Sequence, residues 1–363
     1  MNNQETNQDF EEVVSYKCKN CGSDLNYDAT SGKLICGSCK GEFYVSEFQT
    51  FENADFEKIK EKTTISSFNE SEVQEFNCDN CGAVLITDAH TASTNCNFCG
   101  SPMVISSRLS GKVAPASVLP FKFTNQDAQA AFKKWCRNGL VTPNDFLTEK
   151  RIRNIEGLYV PFWLYNLNSQ AEGEALCTRV RRYRTSKHNV IETRHYISYR
   201  RVTADFEKIP VDASIKMDDN VMDLLEPFNY NELETFNAAY LSGFSTEKYN
   251  YTDKDLFSRV ENRSDAFIKE YLSDTIRGYD TVNIVRLKTD TKQRDAVYTL
   301  LPVYTVSYKY KGKEYNFAMN GQTGKIVGKP PVCISKVVKF ALIAFFGVLA
   351  ISELIYLIVG VLL

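Results

Sequence analysis

The sequence predicts an α+β fold class in three parts. Two small four-cysteine ribbons come first, then a mixed α+β middle domain ending in an antiparallel meander, then a C-terminal transmembrane helix. Three observations predict this. Eight of the eleven cysteines fall in the first 99 residues, in two identical frames. The last 24 residues carry a single charge. Between them, residues 111–331 mix helical and strand periodicities. A chain of 363 residues is long enough for two or three such modules. Its 43% hydrophobic and 24% charged content is that of a folded protein, and excludes a disordered tail or a multi-span membrane protein.

Charge divides the chain along the same lines. Residues 1–110 hold 8 basic and 17 acidic side chains, residues 111–331 hold 33 and 27, and the remainder holds Lys336, Lys339 and Glu353.

The first cysteine frame is Cys18-x2-Cys21-x14-Cys36-x2-Cys39 and the second Cys78-x2-Cys81-x14-Cys96-x2-Cys99. All four positions repeat at an offset of 60, and so do Asn20-Cys21-Gly22 and Asn80-Cys81-Gly82, which marks an internal duplication. Two thiolates two residues apart can grip one metal ion from a tight turn. Two such turns close a tetrahedral four-sulfur site. Gly22, Gly82 and Gly100 follow three of the pairs and Gly37 lies inside the fourth, and each is expected to supply a left-handed turn residue. Lys33–Cys36 and Ala83–Thr87 read as strands. Disulfides are disfavoured because residues 1–12 are polar and acidic rather than a secretory signal. A redox pair would not recur four times in register. The expectation is two zinc ribbons, over 1–50 and 76–110, joined by an acidic linker over 51–75 that includes a short helix. Each ribbon should hold one structural zinc ion, two in all, with iron the alternative in one site. Four protein ligands leave no open position for catalysis. The acidity of the module argues against nucleic acid on the ribbons and favours a protein partner.

From Phe340 to Leu363 the chain is apolar except for Glu353, and about 20 such residues span a bilayer. Lys336 and Lys339 precede the stretch. The positive-inside rule then puts the preceding residues in the cytoplasm, as expected of a single-pass tail anchor over 340–363 in the cell membrane. Gly328-Lys-Pro-Pro331 reads as a short stiff linker. Glu353 at the depth of the bilayer costs about 2.5–3.5 kcal/mol. It is either a contact to a polar group on a partner helix or a tolerated snorkelling side chain.

In 111–331, Thr124-Asn-Gln-Asp127 reads as a capping box opening a helix. Ala128, Phe132, Trp135 and Cys136 form its buried face, and Gly139 stops it. A second helix is expected from about Thr252 to Arg277, with Leu256, Val260, Phe267 and Tyr271 as its stripe and Gly278 at its end. Tyr304–Tyr310, Glu314–Met319 and Lys325–Val327 read as the closing meander. Arg179, Arg181, Arg182, Arg184, Lys187, Arg194, Arg200 and Arg201 cluster with Tyr183, Tyr196 and Tyr199 against one acid, Glu192. Their alternation suggests a hairpin turning near Ser186–Asn189, with His188 and His195 facing each other across it. Three readings stand for the cluster: a contact to anionic lipid, a nucleic-acid contact with stacking tyrosines, or a solvated face paired with acids elsewhere.

Linear signs of catalysis are missing. Gly321-Gln-Thr-Gly324-Lys325 is too short for a Walker A loop, and there is no HExxH or GxSxG. A non-enzyme is expected, with a cryptic hydrolase or nuclease in 111–331 or a membrane-tethered nucleic-acid binder as the rivals.

Further motifs follow the ribbons: Leu119-Pro-Phe-Lys-Phe123, Leu158-Tyr-Val-Pro-Phe-Trp163, Ile209-Pro-Val-Asp212, Leu301-Pro-Val-Tyr304 and Asn320-Gly-Gln-Thr-Gly-Lys325. With the eight cysteines and the apolar tail, they make the chain from Tyr16 onward resemble the bacterial TFIIB-type zinc-ribbon membrane protein family. Members are sometimes labelled primosomal helicase-like, a label that the missing Walker A argues against. The resemblance implies a non-catalytic role in a membrane-stress complex, with PspA-like or SPFH/virion-core-like proteins as partners. The residues themselves give each Pro-aromatic motif a simpler role, with Pro at a strand edge or start and the aromatic in the core.

Overall fold

The computed structural model describes residues 13–48, 74–78, 80, 84–87, 91–96, 101–105, 114–146, 155–185 and 188–362. Of the acidic linker expected over 51–75, only Gln74 and Glu75 fall among them, and the helix expected there lies outside. The N-terminal strands are β1 (Val13–Val14), β2 (Leu25–Asp28), β3 (Lys33–Cys36) and β4 (Glu42–Phe43). The strands β2, β3 and β4 form an antiparallel sheet with Leu25 opposite Cys36 and Leu34 opposite Phe43. The second repeat supplies β5 (Gln74–Asn77), β6 (Val84–Thr87), β7 (Thr91–Asn95) and β8 (Pro102–Ile105).

After β9 (Ser117–Val118) comes the helix α1 (Asn125–Asn138). The Asp127 N–H donates to the Thr124 hydroxyl and the Asp127 carboxylate accepts from the Thr124 N–H, a closed capping box. The expected face holds: Ala128, Phe132 and Cys136 are buried, and Trp135 packs beside them. Gly139 ends the helix with φ −71°, so no left-handed turn is involved. What requires glycine is space, since a Cβ there would sit 2.3 Å from the Thr142 hydroxyl.

Two very long strands follow, β10 (Glu156–Arg184) and β11 (Asn189–Asp212), paired antiparallel along almost their whole length. Then come α2 (Asp219–Leu224), β12 (Glu234–Thr235), β13 (Ser245–Glu247) and α3 (Phe257–Thr275). A third long strand, β14 (Thr281–Tyr310), leads into β15 (Lys313–Asn320), β16 (Ile326–Gly328) and the helix α4 (Ile334–Leu362). One large mixed sheet runs β1-β8-β7-β13-β10-β14-β15-β16, with β11 on β10 and β9 on β14. Thus β7 and β8 share the sheet of the long strands, while β2, β3 and β4 stand as a sheet of their own.

The closing meander exists, but its first strand begins at Thr281 rather than Tyr304. The helix α3 covers one face of the long arm. Leu167, Ser169, Ala171, Ala175 and Cys177 of β10 are buried, and they alternate with polar or exposed residues. Small side chains let α3 approach closely: a Cβ on Gly173 would meet Leu272 Cδ1 at 2.9 Å. The buried face of α3 is Val260, Ser264, Ile268 and Leu272, whereas Phe267 and Tyr271 of the expected stripe are 49% and 59% exposed.

Pro120 lies just past the end of β9, while Pro161, Pro210 and Pro302 lie inside strands, not at their starts, yet at each of these three a partner strand is missing on the nitrogen's side. In antiparallel pairing, a residue's N–H and C=O point the same way. The Pro161 carbonyl accepts from Ala213 just past the end of β11, and the Pro302 carbonyl accepts from Gly321 just past the end of β15. The Pro210 carbonyl accepts from Arg263 on the outer edge of β11. No ladder bond is lost at any of the three. The aromatics do fill the core: Phe121 stacks on Phe244 at 4.2 Å, with Tyr159 and Tyr304 edge-on to it.

Candidate metal centre

The sulfur atoms of Cys18, Cys21, Cys36 and Cys39 all lie within 4.8 Å of one another, with Cys18–Cys39 and Cys21–Cys36 each at 3.5 Å. A tetrahedron with metal–sulfur bonds of about 2.3 Å has edges of about 3.8 Å, so this cluster could hold a metal ion. Two turns build it. In the first, Cys18 donates its N–H to Ser23 O and Gly22 donates to Cys18 O, with Gly22 left-handed at φ +73°. In the second, Cys36 donates to Gly41 O, Lys40 donates to Cys36 O, and the Cys39 N–H points at Cys36 Sγ from 3.5 Å. The left-handed residue here is Lys40 (φ +61°), not Gly37 as the spacing suggested. Gly41 is needed for closeness, since a Cβ there would meet Asn20 Nδ2 at 2.9 Å and Cys39 Sγ at 3.4 Å. Cys18 and Cys36 are buried, and Cys21 and Cys39 face out. Hydrogen bonds from the Ser23 side chain and backbone pull Cys21 down to about 6. Cys39, although drawn down by the Gly41 backbone, is pushed up to about 12 by its contacts with Cys18 and Cys21.

The second frame repeats several of the first frame's pairings, though β6 and β7 do not pair as β2 and β3 do. Cys96 donates to Ser101 O as Cys36 does to Gly41 O. The pair Asn77↔Val84 repeats Lys17↔Asp24, and Thr94↔Met103 repeats Leu34↔Phe43, each at an offset of 60. Cys78 and Cys96 are buried together with Met103, while Cys81 and Cys99 lie outside the described residues.

Both units dock on the segment Asn237–Glu247. From the first, the Tyr27 N–H donates to Ser242 O, and the Ser242 hydroxyl donates to Leu25 O. Asn237 Nδ2 donates to Val45 O and Phe48 O. From the second, Ser93 opposes Thr246 in β13 and its hydroxyl donates to Phe244 O. The units also touch each other: Ser101 Oγ donates to Asp24 Oδ2 at 2.6 Å, and Lys17 pairs with the same carboxylate. Sequence reasoning missed this docking, because it rests on short polar side chains bonding to backbone and leaves no motif.

The basic cluster does form the end of the β10–β11 hairpin, but not one surface. By strand alternation Arg179, Arg181, Arg194 and Arg200 lie on the α3 side, and Arg182, Arg184 and Arg201 on the other. Arg179 is structural: it donates twice to Gly278 O and lies over the rings of Tyr196 and Tyr279. It directly opposes Arg194, whose charge is balanced by Glu192 at 2.7 Å. Arg201 pairs with Glu172 at 2.6 Å, Arg181 lies over Tyr183, and Arg200 donates to Tyr199 O. His188 sits in the turn and His195 opposes Thr178, so the two histidines do not face each other.

An ionic cluster that sequence reasoning passed over ties α2 and α3 to β11. Arg259 bonds Asp212 (2.9 Å) and Asp223 (2.7 Å), and Arg263 bonds Asp223 and Glu226 (2.7 Å). The i, i+4 spacing of the two arginines was its only linear signal. Asp212 is wholly buried with Oδ2 unbonded. Burial pushes it up to about 6, against the pull of Arg259. The Asn320-Gly-Gln-Thr-Gly-Lys325 motif is a brace of the same region. Asn320 Nδ2 donates to Leu225 O, its Oδ1 accepts from the Gln322 and Thr323 N–H groups, and Gln322 bonds Asn229.

The helix α4 is long and apolar enough over Ile334–Glu353 to cross a membrane. A core helix of that composition would be covered, but its large apolar residues from Ile334 to Ile351 are exposed. Its root is fixed to the body: the Cys333 N–H donates to Val141 O at 2.7 Å and Lys336 Nζ to Thr142 O at 2.6 Å. Glu353 lies on this helix, exposed.

No protein-family model matches the chain, and no solved structure does. Among curated proteins, "Uncharacterized protein YdjG" of Bacillus subtilis (strain 168) is 43% identical over 325 residues, 90% of this chain and 92% of that protein. Identity of that depth over nearly the full length of both chains means a shared fold and descent, and the chain belongs to the YdjG family.

Proposed function

We propose that the protein is a non-catalytic, membrane-anchored adaptor. In this reading its two four-cysteine units each hold one structural zinc ion, four ligands from Cys18, Cys21, Cys36 and Cys39 and four from Cys78, Cys81, Cys96 and Cys99. The helix α4 is its single span of the cell membrane, and the bulk stands in the cytoplasm. Zinc suits an all-sulfur tetrahedral set, and a closed set gives a fold rather than a reaction. Lys336 and Lys339 on the near side of the span favour the cytoplasmic orientation, where thiols stay reduced.

The observation that carries the adaptor reading is the run of β14. The strand starts at Thr281, paired with Thr178 next to the arginine-bearing hairpin end, and finishes at Tyr310, beside the root of α4. At about 3.3 Å per residue its contour is about 95 Å. One end of a rigid arm is thus anchored and the other is free to meet a partner. The resemblance to TFIIB-type zinc-ribbon membrane proteins supports partners of the membrane-stress kind, PspA-like or SPFH/virion-core-like.

The test is to purify the full chain from membranes, count its metal by mass spectrometry and identify what co-purifies. Two zinc ions per chain, and a specific partner lost in Arg181→Gln/Arg182→Gln but retained by a Lys133→Gln control, are expected. Metal below one ion per chain, or release of the chain by carbonate washing, overturns the reading. Retention on nucleic acid that falls steeply with salt and vanishes in the arginine variant would replace it with the nucleic-acid rival.

A further inference from the structure

We propose that the cavity between the β14–β15 turn and the root of α4 seats the phosphate headgroup of an anionic phospholipid. The inference rests on the reading of α4 as a membrane span. The cavity measures about 620 Å³, and its walls include Tyr310, Lys311, Lys313, Tyr315, Pro331 and Cys333.

Depth is the first argument. The apolar stretch starts at Phe340, six residues beyond Ile334 at the root of α4. Six residues of helix rise about 9 Å. The headgroup layer on each side of a bilayer is about 5–8 Å thick. With Phe340 at the hydrocarbon boundary, the cavity therefore stands at the outer edge of the headgroup layer, from which long lysine side chains reach the lipid phosphates. The two hydrogen bonds from Cys333 and Lys336 to Val141 and Thr142 hold the body down at that level.

Charge is the second. Lys311 and Lys313 flank Gly312 in a tight turn, and both are exposed. Lys311 Nζ lies 5.1 Å from the centroid of the Tyr310 ring. Asp145 also faces this corner, where it accepts from the Tyr310 hydroxyl at 2.8 Å and acts on Lys311 as a neighbouring charge. The Lys336 ammonium is engaged with Thr142 O and lies outside the cavity's walls, whereas Lys311, held against the Tyr310 side chain, and Lys313 are exposed cations of those walls. The N-terminal end of the 29-residue helix α4 opens on the same cavity and adds positive potential.

The lining is the third. Tyr310 and Tyr315 are the residue type that settles at the membrane interface. Val332 and Ile334 beside them are 60% and 78% exposed, a small apolar ledge suited to the top of the acyl layer. The arginine-bearing hairpin end, the sequence's own candidate for lipid, is at the far end of β14.

The full chain reconstituted in nanodiscs tests this, with phosphatidylglycerol diluted into phosphatidylcholine and retained lipid read by native mass spectrometry. Retention of phosphatidylglycerol over phosphatidylcholine is expected, about 30-fold weaker in Lys311→Gln/Lys313→Gln, restored in Lys311→Arg/Lys313→Arg and unchanged in Arg181→Gln/Arg182→Gln. Equal retention by the lysine variant, or loss in the arginine variant instead, overturns the site. A chain that enters the bilayer without preferring either lipid sinks this site alone, whereas one that fails to enter sinks the spanning reading with it. Inorganic phosphate is the control for source. If it binds the detergent-solubilised chain and abolishes the lipid preference at millimolar level, the seat is for free phosphate and the lipid assignment falls.

Discussion

Cys36 and Cys96 occupy one position in two copies of the same unit: Cys36 ends β3, Cys96 directly follows β7, and each donates its N–H to the carbonyl five residues on, at 3.0 Å and 2.8 Å. Equal local geometry predicts equal dependence on metal. Each ribbon is too small to hold its shape on hydrophobic burial alone, so metal binding and folding should be one event. Cys36→Ser and Cys96→Ser are each expected to lower bound metal by one ion per chain. A chelator should expose all eight thiols to alkylation. Retention of both ions by either variant would contradict the expectation.

Docking of the first unit depends on Asn237. Its amide donates to two carbonyls of that unit, and its oxygen accepts from the Ala239 N–H. Asn237→Ala leaves those buried groups without partners, at a cost of about 2–3 kcal/mol. Hydrogen exchange should then quicken across 25–48 while the long strands stay protected. Unchanged exchange in 25–48 would mean the unit is held by the Tyr27 and Ser242 bonds alone.

These cases show which parts of the molecule the residues announced. The helix α1 was legible because the Thr124–Asp127 box, the apolar face and the stop are all local. The cysteine frames were legible because metal geometry fixes spacing. In α3 the reading failed at Phe267 and Tyr271, since the sheet beneath is lined by Ala171 and Gly173 and takes the thinner ridge of Ser264, Ile268 and Leu272. The length of β10 was hidden for the same reason: its buried residues Ser169, Ala171 and Ala175 are too small to register as an apolar stripe. Docking of both ribbons on one segment depends on contacts more than a hundred residues apart, which no window of sequence displays.

The buried ionic cluster sets a pH dependence. Asp212 ordinarily titrates near 3.8, and burial raises it to about 6 in the folded chain, with Arg259 opposing. The folded state therefore binds this proton more tightly than the unfolded one. The stabilisation is complete below about 3.8 and is lost as pH rises through about 6, at most on the order of 3 kcal/mol. Asp212→Asn keeps an acceptor for Arg259 and removes the titration. Thermal unfolding of the detergent-solubilised chain should show this contribution falling between pH 4 and 7 in the wild type and not in the variant. Parallel curves for the two proteins would refute it.

The close approach of α3 to the long arm makes Gly173 and Leu272 a coupled pair. A methyl group at Gly173 would lie 2.9 Å from Leu272 Cδ1, a contact that must be relieved by moving the leucine or the helix. Gly173→Ala should therefore cost about 1–3 kcal/mol by overpacking. Leu272→Ala, which empties a fully buried site, should cost about 2–5 kcal/mol. In the double variant the new methyl occupies part of the space the leucine vacated. The combined loss should fall short of the sum of the two by about 1 kcal/mol or more, measured by chemical denaturation. Strict additivity would mean that α3 already stands off the sheet at this point, and that the small residues of β10 serve some purpose other than admitting the helix.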